Sequence, residues 1–191
     1  CRGSFGPSPD NIRGMTEPRA ERPHVPGYGI PKSTKGILPW SWAVERLERA
    51  KIYWLATTGS DGAPHLNPIW GSWVDGHWFV EGGPTRWQRN LRENPQMAIH
   101  VESGDEVVIV EGAAREHVAP PAELADRILA GYAKYRPEYE ATADHWTQGG
   151  LWELVPVKAF AWTTFPADMT RFTFEAKDAA GGPTRRGASD H

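Results

Sequence analysis

YWLATTGSDGAPHLNPIWGSWVDGHWFVEGGPTRWQRNLRENP, residues 53–95, is built from short apolar runs separated by turn residues, and then its period changes. Tyr53–Thr58 is rich in strand formers, and the GSDGAP that follows is a turn. His65–Trp73 reads as a second strand, interrupted by Pro68 and Gly71, as at a bulge or an edge. Asp75-Gly76 is a two-residue hairpin signal between two further strands. Gly82, Gly83 and Pro84 then break the pattern, and Thr85 followed by Gln88 three residues on is a capping-box pair that starts a helix at Arg86. Arg86 and Arg89 fall in the first turns of that helix, where the positive end of the backbone dipole repels cations. Free N–H groups, a glycine-rich entry and two guanidinium groups together make an anion site, and a bound phosphate or carboxylate removes the repulsion. The competing reading is that both arginines pair with Glu81 or Glu93 on a solvated surface.

On the N-terminal side, LPWSWAVERLERAK (38–51) is a short amphipathic helix, with Ala43, Leu47 and Ala50 on one face. Residues 1–36 are rich in Pro, Gly and charge without apolar periodicity, and read as a disordered or surface-draped arm. Met15 inside it is compatible with a natural start, which would make residues 1–14 added or upstream sequence. On the C-terminal side, QMAIHVES and EVVIVEGAAREHVA form another hairpin around Gly104-Asp105. PPAELADRILAGYAKYR is a helix with Pro120 and Pro121 at its start and an apolar stripe of Leu124, Ile128, Leu129 and Tyr132. VKAFAWTTF and TRFTFEA are the last strands, and residues 177–191 read as a disordered tail. The ordered domain is therefore 37–176. Hairpin-linked strands with a few peripheral helices predict a mainly β fold, a small antiparallel barrel of about six strands.

Composition narrows the function. Formal charge is −3 over 191 residues, too balanced to suggest nucleic acid or an anionic membrane surface as partner. No apolar run is long enough to span a bilayer or to act as a signal peptide, and Cys1 is the only cysteine, so a soluble cytoplasmic protein without disulfides or a thiolate metal site is expected. The seven histidines lack ligand spacing, and no metal is expected. No Rossmann glycine fingerprint, P-loop or nucleophile elbow is present. Ten tryptophans, mostly between Trp40 and Trp87, fit a core and a dimer interface, or a pocket for a flat ring system. Tyr132, Tyr135 and Tyr139 share one helical side, a pattern more typical of core than of a pocket.

The ordered set of pieces in residues 53–95, continued by VVIVEGAA and AFAWTTFPADMTRFTF, resembles the pyridoxamine phosphate oxidase-like split-barrel superfamily of flavin and deazaflavin proteins. It looks most like the actinobacterial branch that includes coenzyme F420-dependent reductases, and the likeness spans roughly Leu38 to Glu175. The resemblance implies a homodimeric six-stranded split barrel with the cofactor in a groove between subunits. Carried over, it makes Thr85, Arg86, Arg89 and Asn90 phosphate-side residues and Pro68, Ile69 and Trp70 ring-side residues. His65 and Asn67 reach the cofactor or substrate from the same strand, and Arg171 is a contact from the partner subunit.

This chain departs from the superfamily pattern at three positions. Trp87 stands where many relatives have a phosphate-binding lysine, although its ring could stack on the cofactor; Asn67 and Ser72 stand where the FMN oxidases have an arginine and a lysine. Each missing charge-assisted contact costs about 1.5–3 kcal/mol, which disfavours a phosphate dianion. The deazaflavin spreads its anionic groups more widely, for example onto Arg86, Arg89 and Arg92. The expectation is an F420-dependent oxidoreductase acting on a small organic acceptor, with His65, Tyr132, Tyr135 and His145 as candidate proton donors. The alternatives are an FMN enzyme of the pyridoxamine phosphate oxidase type, or a non-catalytic barrel that carries a cofactor or haem.

Overall fold

The computed structural model describes residues 17–175. Nine strand segments are present: β1 (Arg19–Glu21), β2 (Tyr53–Thr58), β3 (Pro64–Ile69), β4 (Ser72–Val74), β5 (His77–Glu81), β6 (Gln96–Val101), β7 (Val107–His117), β8 (Leu151–Trp162) and β9 (Thr170–Thr173). All described pairings are antiparallel. They close a circuit: β3 pairs β2, β2 pairs β6, β6 pairs β7, β7 pairs β8, β8 pairs β5, and β5 pairs β4, which the chain links back to β3. Taking β3 and β4 as one interrupted strand, the circuit has six strands, and the interruption at Trp70-Gly71 is the split. Gly71 is required there: a Cβ would lie 2.6 Å from Cζ2 of the buried Trp78 indole.

The twelve-residue β8 pairs with β7 along one edge and serves two neighbours along the other. Its first residues pair with β5, and its second half pairs with β9, which in turn carries β1. Two details differ from the sequence reading. β8 starts at Leu151, ahead of the expected Val157, because the charged Glu153 inside it is buried with its own partners. And residues 19–21 of the arm are a strand, pinned by Arg22, which donates to the carbonyls of Ser33, Lys35 and Met169 at 2.8–3.0 Å. The segments 1–16 and 176–191 lie outside the described residues.

The Asp75-Gly76 hairpin forms as expected, with φ of 51° and 79°, the left-handed pair that a type I′ turn demands. The barrel interior holds Tyr53, Leu55, Trp78, Ile99, Val110, Leu154 and Phe172, capped by Trp40, Ala43 and Leu47 of helix α1 (Trp40–Arg49). Helix α2 (Arg86–Glu93) packs on β2 and sends Trp87 and Leu91 into the same core. A second cluster lies under helix α3 (Ala122–Tyr132), where Ile128, Tyr132, Tyr135 and Trp146 cover Val74 and Phe79. None of the described helices is long and apolar enough to cross a membrane.

Candidate functional site

The two clusters leave a cleft between them at the split. Its volume is about 760 Å3, and it is lined by Pro68–Trp70 at the end of β3, Glu81–Gly83 at the end of β5, Tyr132, Tyr139, His145, Trp146 and Gly149-Gly150. Its walls are held from behind. Trp70, 39% exposed, stacks on Tyr135 with ring centroids 4.9 Å apart and planes 12° from parallel. The Tyr135 hydroxyl lies 2.8–2.9 Å from Gly71 O, Lys51 O and Gly71 N–H, so the ring behind Trp70 is fixed at three points. Burial pushes that hydroxyl up to about 12, which keeps it protonated as a donor. Gly149 and Gly150 have φ of 97° and 88°, and the Gly150 carbonyl accepts from Gly82 N–H at 3.2 Å, which seals one rim with backbone alone.

Glu81 projects into this cleft. The Tyr139 hydroxyl donates to its Oε1 and the Trp146 indole N–H to its Oε2. Burial raises its carboxyl above the ordinary range, and the Trp146 hydrogen bond and the His145 charge act the other way. Gly82 and Gly83 leave the wall at the next residues and lead through Pro84 to α2. There the Thr85 N–H reaches Gln88 Oε1 at 3.4 Å and Gln88 Nε2 donates to Gly82 O at 2.7 Å, so the entry loop is tied to its own helix. Arg86 and Arg89 are exposed, and among the described residues neither makes an ion pair or a side-chain hydrogen bond. Pairing with Glu81 or Glu93 is therefore not what placed them.

Residues 43–162, more than half of the chain, match the model of the pyridoxamine 5'-phosphate oxidase family. The chain belongs to this family. Solved structures agree on the fold. A conserved hypothetical protein from Mycobacterium tuberculosis is 22% identical with a TM-score of 0.54, over 66% of this chain and 85% of that one. General stress protein 26 from Bacillus anthracis is 14% identical with a TM-score of 0.51, over 63% and 91%. A heme binding protein from Mycobacterium smegmatis is 19% identical with a TM-score of 0.50, over 72% and 59%. At these identities the likeness is one of fold. No curated protein matches the chain in sequence.

Within this pyridoxamine 5'-phosphate oxidase family member, the residues singled out from sequence fall into three groups. Pro68, Ile69 and Trp70 line the cleft. Thr85, Arg86 and Arg89 stand at the exposed start of α2, directly beyond the cleft's Gly82-Gly83 rim. His65 and Asn67 lie on β3 ahead of Pro68, opposite Thr57 and Leu55. Asn67 donates to Pro68 O at 3.3 Å, while its buried Oδ1 has no partner among the described residues.

The other named residues are occupied within the protein. Trp87 is buried against Trp152, and Asn90 is buried with Nδ2 donating to Thr57 Oγ1 at 3.0 Å. Arg92 is paired with Glu116 at 2.8 Å, and Arg171 with Glu21 of the arm at 2.6 Å. Tyr132 lines the cleft but aims its hydroxyl at Phe79 O, 3.5 Å away. His145 also lines it.

Sequence reasoning missed Glu81, Trp146 and Gly149-Gly150. The tyrosine stripe was the available signal: Tyr132 and Tyr135 are buried in the second cluster, as the pattern suggested, and Tyr132 and Tyr139 also line the cleft. It also missed a buried carboxylate on β8, in register with Phe79 of β5. Glu153, 4% exposed, accepts from His77 at Oε1 and from His117 at Oε2, 2.8 Å away, with Arg115 at 3.5 Å. Burial alone would raise it, and the two histidine hydrogen bonds more than offset that and hold it at about 2. Among the described residues, no group of three or more His, Cys, Asp or Glu side chains is placed to hold a metal ion.

Proposed function

We propose that this family member is an oxidoreductase that binds the deazaflavin coenzyme F420 and passes a hydride between it and a small organic acceptor. One observation carries the reading: two arginines without ion-pair partners among the described residues open a capped helix, one tight turn beyond an aromatic cleft. Cations at a helix start are unfavourable until an anion arrives. A flat ring in the cleft and an anionic group at α2 satisfy both features with one ligand.

The donor set fits a phosphodiester with a spread-out anionic tail better than a phosphate dianion. Ser72 is fully buried, and Gly131 of α3 packs so closely on it that its place offers no room for a lysine. Trp87 is in the core, and Asn67 carries no charge. This favours the deazaflavin over FMN, because the cations that FMN relatives use at these positions have no counterpart here.

When bound, the coenzyme supplies hydride chemistry at its own C5. The protein's residues do the rest. Arg86 and Arg89 hold the anionic group; Trp70, braced by Tyr135, presents a flat apolar face; Trp146 and Tyr132 exclude water. His145 is the cleft imidazole that can hold or release a proton at a ring nitrogen. The same reading includes a homodimer. Trp54 (37% exposed), Leu66 (59%) and Val157 (57%) leave apolar surface on the outside of the barrel, and Trp54 sits beside Pro68 in the β2–β3 register. A chain with one cysteine and no disulfide fits a cytoplasmic location.

Incubation of the protein with reduced coenzyme and a panel of electron-poor alkenes and nitroaromatics tests this, by following reoxidation of the coenzyme. Acceptor-dependent reoxidation is expected. Tight binding with no turnover for any acceptor would make the protein a carrier instead.

A further inference from the structure

The cleft contains a carboxylate that makes no ion pair among the described residues. Elsewhere in the molecule the carboxylates that face basic side chains pair with them: Glu21 with Arg171, Asp75 with Arg127, Glu111 with Lys158, Glu116 with Arg92, and Glu153 with Arg115 and two histidines. Glu81 is half-buried and makes no ion pair among the described residues. Its two neighbours, Tyr139 and Trp146, are neutral donors. They orient the carboxylate and disperse its charge without cancelling it. Each oxygen accepts one hydrogen bond from the protein, and a carboxylate has about four acceptor sites, so two remain available on the cleft side.

Around this carboxylate the walls are aromatic: Trp70, Tyr132, Tyr139 and Trp146. Tyr139 packs 5.8 Å from Trp70 and 6.3 Å from Tyr132, so the rings form a connected surface. Ring faces carry negative charge density and attract cations, more strongly where water is excluded. Desolvation that costs a lone carboxylate is recovered when a cation shares its site. A neutral donor gains a hydrogen bond from Glu81 but leaves its charge unbalanced, and an anionic guest is repelled.

We infer that the cleft selects a substrate bearing a positive charge, an organic ammonium or a protonated nitrogen heterocycle, held by Glu81 and by the faces of Trp70, Tyr139 and Trp146. The inference rests on the proposed function, with the cleft holding the substrate beside the coenzyme's ring, and it does not depend on which coenzyme that is. The charged neighbour acting on Glu81 is His145, which also lines the cleft.

The experiment is a tryptophan-fluorescence titration of the full chain with phenethylammonium and with 2-phenylethanol, a neutral molecule of nearly the same shape. The cation is expected to bind about ten-fold more tightly than the alcohol. Glu81→Gln, which keeps the shape and removes the charge, is expected to bring the two within about two-fold. Trp70→Leu, checked for folding by circular dichroism, should weaken the cation more than the alcohol. Arg86→Ala, at the proposed anion site, should leave the preference as it is. Equal binding of both probes by the native protein would overturn the cation selectivity alone. A preference that survives both Glu81→Gln and Trp70→Leu would overturn the roles assigned to those side chains. Binding of neither probe would overturn the cleft as a substrate site, and the inference with it.

Discussion

At the scale of the residue, single side chains have separable tasks. Arg86 and Arg89 are exposed and lack ion-pair partners among the described residues, so replacing either removes a ligand contact without breaking a protein contact. Arg86→Ala is expected to weaken coenzyme binding about ten-fold with no change in melting temperature, measured by calorimetric titration and thermal denaturation. Glu153 works the opposite way, as a stability residue whose carboxylate oxygens are taken up by protein partners. Its folded carboxyl sits at about 2 against an ordinary value of 4.5. A carboxyl depressed by folding adds stability above the unfolded value and loses it as pH falls through the folded one. The protein should therefore lose roughly 3 kcal/mol between pH 4.5 and pH 2 through this group. Glu153→Gln should remove that pH dependence and cost about 3 kcal/mol near neutrality, seen as a fall of roughly 10 °C in melting temperature. Neither Glu153 nor Glu81 was legible in the sequence. A lone glutamate in or at the end of a strand reads as solvent-facing, and its partners here lie 36 to 76 residues away.

At the scale of the element, local chemistry predicted what local chemistry decides. The Thr85/Gln88 pair placed the start of α2, and Asp75-Gly76 placed its hairpin. What long-range pairing decides stayed hidden. Arg19–Glu21 has no apolar alternation and becomes a strand only because β9 offers it an edge. The break between β3 and β4 showed in sequence as Pro68 and Gly71, but that it splits the barrel and opens the cleft depends on Trp78 packing beneath it. Gly112 shows how demanding such contacts are. It occupies a register shift in β7, and a Cβ there would lie 2.9 Å from Val155 C and closer still to its oxygen. Gly112→Ala is expected to cost about 3 kcal/mol, because the obstruction is backbone in the neighbouring strand and cannot rotate aside. A melting temperature within about 2 °C of the native value would show that β7 and β8 can separate at the bulge cheaply.

At the scale of the whole molecule, the barrel is a frame that brings three chain regions to one cleft: the end of β3, the end of β5 and the segment from α3 to Gly150. The closed circuit of strands was legible in the sequence as a six-stranded barrel. The cleft was legible only in part: Pro68, Ile69, Trp70, Tyr132 and His145 were named from sequence, whereas Glu81, Trp146 and Gly149-Gly150 join them only through long-range packing. If two copies pair through the outer β2–β3 surface, Leu66→Glu should yield a monomer by sedimentation and weaken the coenzyme together with it; a dimer that persists would place the interface elsewhere.

The central claim is that α2 and the cleft together form a site for a deazaflavin rather than for FMN. A side-by-side fluorescence titration of the purified protein with coenzyme F420 and with FMN tests it most directly. The account predicts micromolar or tighter binding of F420 and at least ten-fold weaker binding of FMN, with both signals reduced by Arg86→Ala. Tighter binding of FMN, or affinities for F420 unchanged in Arg86→Ala and Arg89→Ala, would contradict it.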